Sequence, residues 1–448
     1  MPRLHFPHPM TLLVGFILLA SLLTWVLPAG EYQRREDPAT GRQVVVAQTY
    51  HLVEQSPVGP FQALIAIPRG MIEAADVIFL VFLVGASFTV VDFTGVLRRA
   101  IDGLVRRLHG RTLLVIPLLS VVFALGGVLI NMQEEFIALI PALLVLTRRM
   151  GFHPLVAAAV SLGAAAVGAA FSPLNPFQVG IAQKLAQLPL LSGWSFRVVF
   201  LAIALGIWIW GTLRFARQTR VAPEAVVAGT APERFTGRDT AVIFLVLATF
   251  AVYIYGILRL DWGFNEMSAL FFAMGAAAGL VGRLGVGGTV DAYIEGFRAM
   301  AFAGLLIGFA RAIFVVLEQG RIVDTIVHAL VTPIGSLPLV LSAFGMMVAH
   351  VLIHFPVPSV SSQAVLTMPV LVPASDLLGL SRQVTVLAYQ YGAGLTELIA
   401  PTNGALMAVL IAAGVRYERW LRFVLPLFAL LFALGMTAVV VAILTGIG

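Results

Sequence analysis

Ser172-Pro173-Leu174-Asn175-Pro176 interrupts an otherwise apolar run, and Ala400-Pro401-Thr402-Asn403-Gly404 interrupts a second one 228 positions later. The correspondence extends beyond these knots. Pro141 matches Pro369, Gly151 matches Gly379, Pro173 matches Pro401 and Asn175 matches Asn403, all at that single spacing, so 131–180 and 359–408 align without a gap. Proline breaks a helix by removing a donor and crowding the preceding turn. Apolar segments broken at corresponding places in two halves of a chain point to the binding site of a secondary transporter.

The composition agrees. Of 448 residues, 60% are hydrophobic and 11% charged, where a soluble domain carries about 25% charged. The apolar runs are long enough to cross about 30 Å of hydrocarbon as helices of roughly 20 residues. The net charge of +6 is almost entirely arginine, Lys184 being the only lysine. Because the arginines flank apolar runs, they read as membrane-orientation signals and not as a nucleic-acid surface. The absence of cysteine excludes disulfides and thiolate metal sites. The first apolar run, 10–28, exceeds a signal-peptide core and precedes no small-x-small cleavage site, so it is read as a retained span. No phosphate-binding Gly-rich loop with lysine, zinc-binding HExxH or GxSxG nucleophile elbow occurs. Neither an enzyme nor an ATP-driven pump is expected, and no cofactor beyond Na⁺ or H⁺ as coupling ion.

Working outward from the knots gives a topology. Span one, 10–28, leads into a polar loop, in which the alternating 43–53 stretch predicts a small hairpin; an amphipathic interfacial segment, 61–75, and span two, 77–91, follow. Arg98, Arg99, Arg106, Arg107 and Arg111 then mark a basic interfacial helix on the cytoplasmic side. In 112–146 two apolar arms meet at Asn131-Met132-Gln133-Glu134-Glu135, while Arg111 and Arg148-Arg149 stand at their outer ends. The positive-inside rule puts both outer ends on one face. The segment is therefore a re-entrant hairpin with its polar tip inside the protein. The small-residue helix 154–170 suits close packing in lipid; it breaks at 172–176 and resumes, and 196–212 crosses back to an Arg-rich cytoplasmic loop.

After a linking span, 240–258, the plan repeats. Span 267–281, interfacial segment 293–300, span 301–316 and interfacial helix 322–331 precede a hairpin over 337–373. Its tip is Pro356-Val357-Pro358-Ser359-Val360-Ser361-Ser362; a broken helix over 383–400 resumes at Asn403, and 420–444 is the last span. The expected units are scaffold spans 1–111, hairpin plus broken helix 112–194, last span and loop 195–239, linker 240–264, scaffold 265–336, hairpin plus broken helix 337–414, and final span 415–448. The linking span inverts the second half. The expectation is an all-α polytopic membrane protein of inverted repeats, nine spans plus two hairpins. It lies in a bacterial inner membrane with its N-terminus cytoplasmic and its C-terminus periplasmic.

Broken helices expose backbone groups that are tolerated only inside protein or beside a cavity, and their dipoles aim at that cavity. Asn131, Ser172, Asn175, Ser361, Ser362, Thr402 and Asn403 supply neutral groups there, with Asn175 and Asn403 the candidate Na⁺ ligands. Glu134 and Glu135 at the first tip are open to three roles: holding a cationic group, carrying a coupling proton, or ligating Na⁺; a tip at the interface would leave them simply solvated. The repeat maps them onto Ser362 and Gln363. Glu397, before the second break, is a third intramembrane acid. Arg311 either receives a carboxylate in bidentate fashion or neutralises one of the glutamates. His350, His354, Tyr389 and Tyr391 read as packed residues.

Five separated motifs carry a resemblance over nearly the whole chain: Met132-Gln133-Glu134-Glu135-Phe136-Ile137-Ala138, Asn175-Pro176-Phe177-Gln178-Val179-Gly180-Ile181-Ala182, Gly308-Phe309-Ala310-Arg311-Ala312, Gln363-Ala364-Val365-Leu366-Thr367-Met368-Pro369 and Pro401-Thr402-Asn403-Gly404. They resemble the YfcC family, which stands with DcuC-type C4-dicarboxylate carriers and ArcD-type arginine/ornithine exchangers in the ion transporter superfamily. The resemblance implies an elevator carrier, homodimeric, whose hairpins and broken helices move against a fixed scaffold. Three intramembrane acids and one arginine favour an amino acid as the small-molecule substrate, with basic amino acid exchange in view. The rival is a Na⁺- or H⁺-coupled dicarboxylate or monocarboxylate carrier using neutral ligands.

Overall fold

The computed structural model describes residues 9–38, 42–97, 99–100, 112–137, 139–221, 236–260 and 262–447, and within these leaves the side chains of Pro9, Arg42, Ile130, Glu135, Ile254, Ile257, Leu258 and Ser336 undescribed. The basic segment expected before Arg111 falls largely outside these residues. The described residues are mostly helical. In the first half run α1 (Pro9–Val26), α2 (Pro60–Glu73), α3 (Ala75–Phe93), α4 (Val115–Ile130), α5 (Ile140–Arg149), α6 (Leu155–Ala170), α7 (Ile181–Leu185, entered through Pro176–Gly180) and α8 (Trp194–Gln218). Then come α9 (Gly237–Leu260), α10 (Phe264–Val281), α11 (Gly285–Gln319), α12 (Val323–Val331), α13 (Leu339–His354), α14 (Val360–Leu377), α15 (Arg382–Thr396), α16 (Gly404–Ala412) and α17 (Tyr417–Thr445). Among the described residues six helices are long and apolar enough to cross a membrane. One of them is the first arm of the hairpin at 112–129.

Two sequence expectations change. The segments 293–300 and 301–316 form one continuous helix, the 35-residue α11. No proline interrupts 285–319, and the hydrogen-bond ladder runs through; α2 and α3 part at Ala74, with Pro68 accommodated inside α2. The polar loop pairs earlier than the alternation at 43–53 suggests. β1 (Gly30–Glu31) pairs with β4 (His51–Leu52), and β2 (Arg34–Asp37) with β3 (Arg42–Val45), both antiparallel. The result is a two-tiered ribbon.

The ribbon is fastened by long-range polar contacts. The Arg34 guanidinium contacts both Asp324 carboxylate oxygens at 2.9 Å, and the Tyr32 amide donates to Asp324 Oδ2 at 2.9 Å. Tyr50 stacks on His328 with ring centroids 4.0 Å apart. β3 lies along α14, carrying the ribbon onto the second hairpin.

Helices α1, α2, α3 and α16 pack on α11, and α10 packs on α3. A second set joins α4 to α6, α13 to α15, α14 to α7 and α15, and α8 to α17. The first hairpin folds back on itself. Arg220, two residues beyond α8, donates to Thr112 Oγ1 at 3.1 Å and stacks on Phe152, so the two outer ends of the hairpin lie together. Its tip turns at Asn131, which takes a left-handed conformation (φ 57°) and caps α4. Where α4 crosses α6 the backbones nearly touch. A Cβ on Gly127 would stand 2.0 Å from the Ala165 carbonyl oxygen, and one on Gly168 would stand 2.3 Å from that of Ala124. Only glycine admits this approach, which locks hairpin to broken helix.

Candidate functional site

The first break is closed by its own side chains. Ser172 Oγ donates to the Val128 carbonyl at 2.8 Å and accepts from the Asn175 amide at 2.8 Å. Asn175 Nδ2 donates to the Gly127 carbonyl at 2.7 Å, and its Oδ1 accepts from the amides of Phe177 and Gln178. The carbonyls freed at the end of α4 and the amides freed at Phe177 and Gln178 thus find partners. Both residues are fully buried, and the two lone pairs of Asn175 Oδ1 are taken, so this structure offers neither residue to a solute nor Asn175 Oδ1 to an ion. Asn131 Oδ1 accepts from Gln178 Nε2 at 3.1 Å in the same cluster.

The second break opens on a cavity. Asn403 Oδ1 accepts from the Leu406 amide at 3.2 Å, capping α16, and Nδ2 donates to the Glu397 carbonyl at 3.4 Å. Beside it lies a space of ≈ 160 Å³ lined by Glu134 from the first tip; Ser359 and Ser362 from the second; Thr402 and Asn403 from the break; and Arg311, Ile307 and Phe314 from α11. The two hairpin tips and the second break therefore meet against the long helix. Thr402 is buried, and its hydroxyl has no partner among the described residues.

Charge is distributed unevenly around this space. Arg311 Nε donates to Glu73 Oε2 at 2.9 Å, and its guanidinium stacks 4.8 Å from the centre of the Phe314 ring. The sequence placed Arg311 against a substrate or one of the tip glutamates; it pairs instead with an acid 238 residues away. Glu397 is buried and accepts a hydrogen bond from Gln133 Nε2. Glu134 lines the cavity, and no basic side chain pairs with it among the described residues. The side chain of Glu135 lies outside the described part.

Other expected site residues are employed elsewhere. Gln363 is fully buried: its Nε2 donates to the His350 carbonyl at 2.7 Å, and its Oε1 meets His354 Nδ1 at 3.2 Å. It stitches the arms of the second hairpin together and does not line the cavity. Ser361 Oγ lies 3.4 Å from Ser359 Oγ, on the tip rather than in the lining. Sequence reasoning missed Glu73, Gln133, Ser359 and Phe314. Gln133 and Ser359 sat inside quoted tip motifs, but Glu73 and Phe314 carried no local signal.

A buried arginine stands apart from the cavity. Arg197 is fully buried and donates to Gln390 Oε1 at 3.0 Å, Gln383 Oε1 at 2.8 Å and the Ser192 carbonyl at 2.9 Å, all neutral acceptors. Gln390 Nε2 continues the chain to the Ser172 carbonyl at 2.7 Å. This network ties the second broken helix to the first break and leaves the charge balance of the cavity untouched.

The DcuC family profile, described as C4-dicarboxylate anaerobic carrier, matches residues 6–444. YfcC of Escherichia coli K12, provisionally named a basic amino acid antiporter, is 31% identical over 99% of this chain and 98% of its own. An uncharacterised protein of Haemophilus influenzae Rd is 26% identical over 98% and 97%. Among solved structures, the YdaH transporter of Alcanivorax borkumensis is 18% identical, with a TM-score of 0.46 over 98% of this chain and 99% of that one. MtrF of Neisseria gonorrhoeae, described within a class of antimetabolite efflux pumps, is 19% identical, with a TM-score of 0.42 over 98% and 96%.

Proposed function

Because the chain belongs to the DcuC family of carriers, and so is a multi-pass membrane transporter, we propose that it moves a small carboxylate-bearing solute, an amino acid and in particular a basic one in exchange, across the bacterial inner membrane. One observation carries this reading. Among the described residues, Glu134 presents a carboxylate to the cavity without a basic partner, while the arginine on the cavity wall, Arg311, is neutralised by Glu73. The described lining therefore holds an acid in excess, which suits a solute bearing an ammonium or guanidinium group more than a dianion. Ser359, Ser362, Thr402 and Asn403 supply neutral partners for the solute's carboxylate. The name of the YfcC relative points the same way.

The mechanism proposed is an elevator. The matched spacing of hairpins and breaks supports a repeat, and the packing of α1, α2 and α3 on α11 supports a scaffold, with α16 of the second broken helix seated against it, over which the hairpins and broken helices move. The N-terminus is assigned to the cytoplasm and the C-terminus to the periplasm from the distribution of arginine, and a homodimer is proposed. The second reading is a Na⁺- or H⁺-coupled C4-dicarboxylate or monocarboxylate carrier, symporter or antiporter. The family description favours it, with Asn403 as the remaining candidate ion ligand.

Thermal stabilisation of the purified protein by arginine, ornithine, succinate and lactate, each with and without Na⁺, separates the two. A ligand that binds only the folded protein raises its apparent stability by mass action. Stabilisation by arginine or ornithine supports exchange, and counterflow in proteoliposomes should follow. Stabilisation by succinate or lactate alone overturns the amino-acid reading.

A further inference from the structure

A second and larger space, ≈ 410 Å³, opens on the ribbon side of the cavity. Its walls carry Glu31, Arg34, Glu318, Arg321 and Asp324, from the ribbon and from the end of α11 onward. The charges are mostly paired: Arg34 with Asp324 at 2.9 Å, and Arg321 with Glu31 at 3.3 Å. Among the described residues, this vestibule and the inner cavity have two wall residues in common, Phe314 and Ser362. Phe314 comes from α11 and Ser362 from the tip of the second hairpin, so the section between the two spaces is bounded by one residue from each packing set.

We propose that Phe314 is the constriction of the entry route, through which a small hydrophilic solute passes from the vestibule to the cavity. The proposal rests on the reading that the solute binds in that cavity. Both spaces are lined by charged and hydroxyl groups, but the section between them has a phenyl ring on one wall. A hydrophobic constriction resists water and ions, and a charged solute must shed hydration to pass it. The ring is held in place by the Arg311 guanidinium stacked on it at 4.8 Å, and Arg311 is itself fixed by Glu73 at 2.9 Å. Glu73, Arg311 and Phe314 thus form one chain from α2 to the constriction. Ser362 belongs to the second hairpin, so movement of that hairpin changes the gap facing the ring.

The chain has no cysteine, so a single introduced thiol gives an unambiguous accessibility reading in the full-length protein. Ala405→Cys reports on the cavity and Gln43→Cys on the vestibule. Each is treated in membranes with a small, impermeant methanethiosulfonate, applied from the face on which Gln43→Cys reacts. Phe314→Ala should speed modification of Ala405→Cys by about tenfold or more, equivalent to removing about 1.4 kcal/mol from the barrier, and leave Gln43→Cys unchanged. Ser362→Phe, which narrows the section from the other wall, should slow the same reaction and guards against a poorly folded Phe314→Ala. The proposal is overturned if neither change moves the cavity rate beyond twofold, if both reporters accelerate together, or if the cavity thiol reacts only from the opposite face. No substrate enters the assay, so failure of the amino-acid reading leaves the result interpretable.

Discussion

Replacing Glu134 by Gln keeps the shape of the side chain and removes its charge, so it isolates what the unpaired carboxylate contributes. The cavity volume of ≈ 160 Å³ is that of a sphere about 3.4 Å in radius, so a cationic group inside it lies roughly 5 Å from a carboxylate on the wall, an attraction of about 3 kcal/mol at an effective dielectric constant near 20. Residual hydration of both groups halves the lower bound, leaving about 1.5–3 kcal/mol, or roughly 10- to 150-fold in affinity for arginine or ornithine. The readout is thermal stabilisation at a concentration 100 times the wild-type Kd. The wild-type protein gains about 2.7 kcal/mol there, and a 100-fold weaker variant only about 0.4 kcal/mol. Exchange of labelled arginine in proteoliposomes should fall in parallel. If Glu134→Gln binds arginine within threefold of wild type, the carboxylate is not the cation partner and the charge argument fails.

Three further outcomes follow from other parts of the fold. Gly127→Ala forces a methyl to within 2.0 Å of the Ala165 carbonyl, a backbone atom that cannot swing away; it should lower stability by about 1–3 kcal/mol, seen as a drop in Tm, whereas Gly206→Ala, where a Cβ meets nothing within 4 Å, should not. Arg197→Leu leaves the amide oxygens of Gln383 and Gln390 buried and unpaired, at a cost of about 1–3 kcal/mol each, and should lower Tm without altering which solutes stabilise the protein. Burial, then the negative charge of Asp324, then Tyr50, push the Tyr32 hydroxyl from 10.0 up to about 12. A raised folded value means that its contribution to stability is complete below pH about 10 and disappears as pH rises through about 12. Ultraviolet difference titration of wild type against Tyr32→Phe should show that late transition, and a transition near 10 would refute it.

Much of the fold was legible because a membrane restricts the options. In lipid every backbone group must be satisfied within the segment, so apolar length nearly dictates where helices run. That is why 10–28, 77–91, 196–212 and 420–444 reappear as helices with ends shifted by only a few residues. The first hairpin was legible from charge alone, since Arg111 and Arg148-Arg149 demanded a common side, and Arg220 now bridges its two ends. The fused α11 was not, because the glycine-containing stretch with Asp291, Glu295 and Arg298 reads as an interfacial segment until tertiary packing on α2 and α3 is known.

For the site the division is sharper. The sequence by itself determined that two polar knots, two hairpin tips and a handful of acids lie within apolar segments, because solvation cost is a local property of each residue. It could not determine which knot stays open. Ser172 and Asn175 resemble Thr402 and Asn403 in sequence. Yet the first pair is consumed by the carbonyls of Gly127 and Val128, which α4 brings to it, while the second faces a cavity. Nor could it choose the partner of Arg311, since the ion pair with Glu73 spans 238 positions and depends on α2 lying against α11. Hydrogen bonds and ion pairs act over about 3 Å in space, whatever the distance along the chain. The inventory of polar groups was therefore fixed by the residues, and their occupancy by the packing.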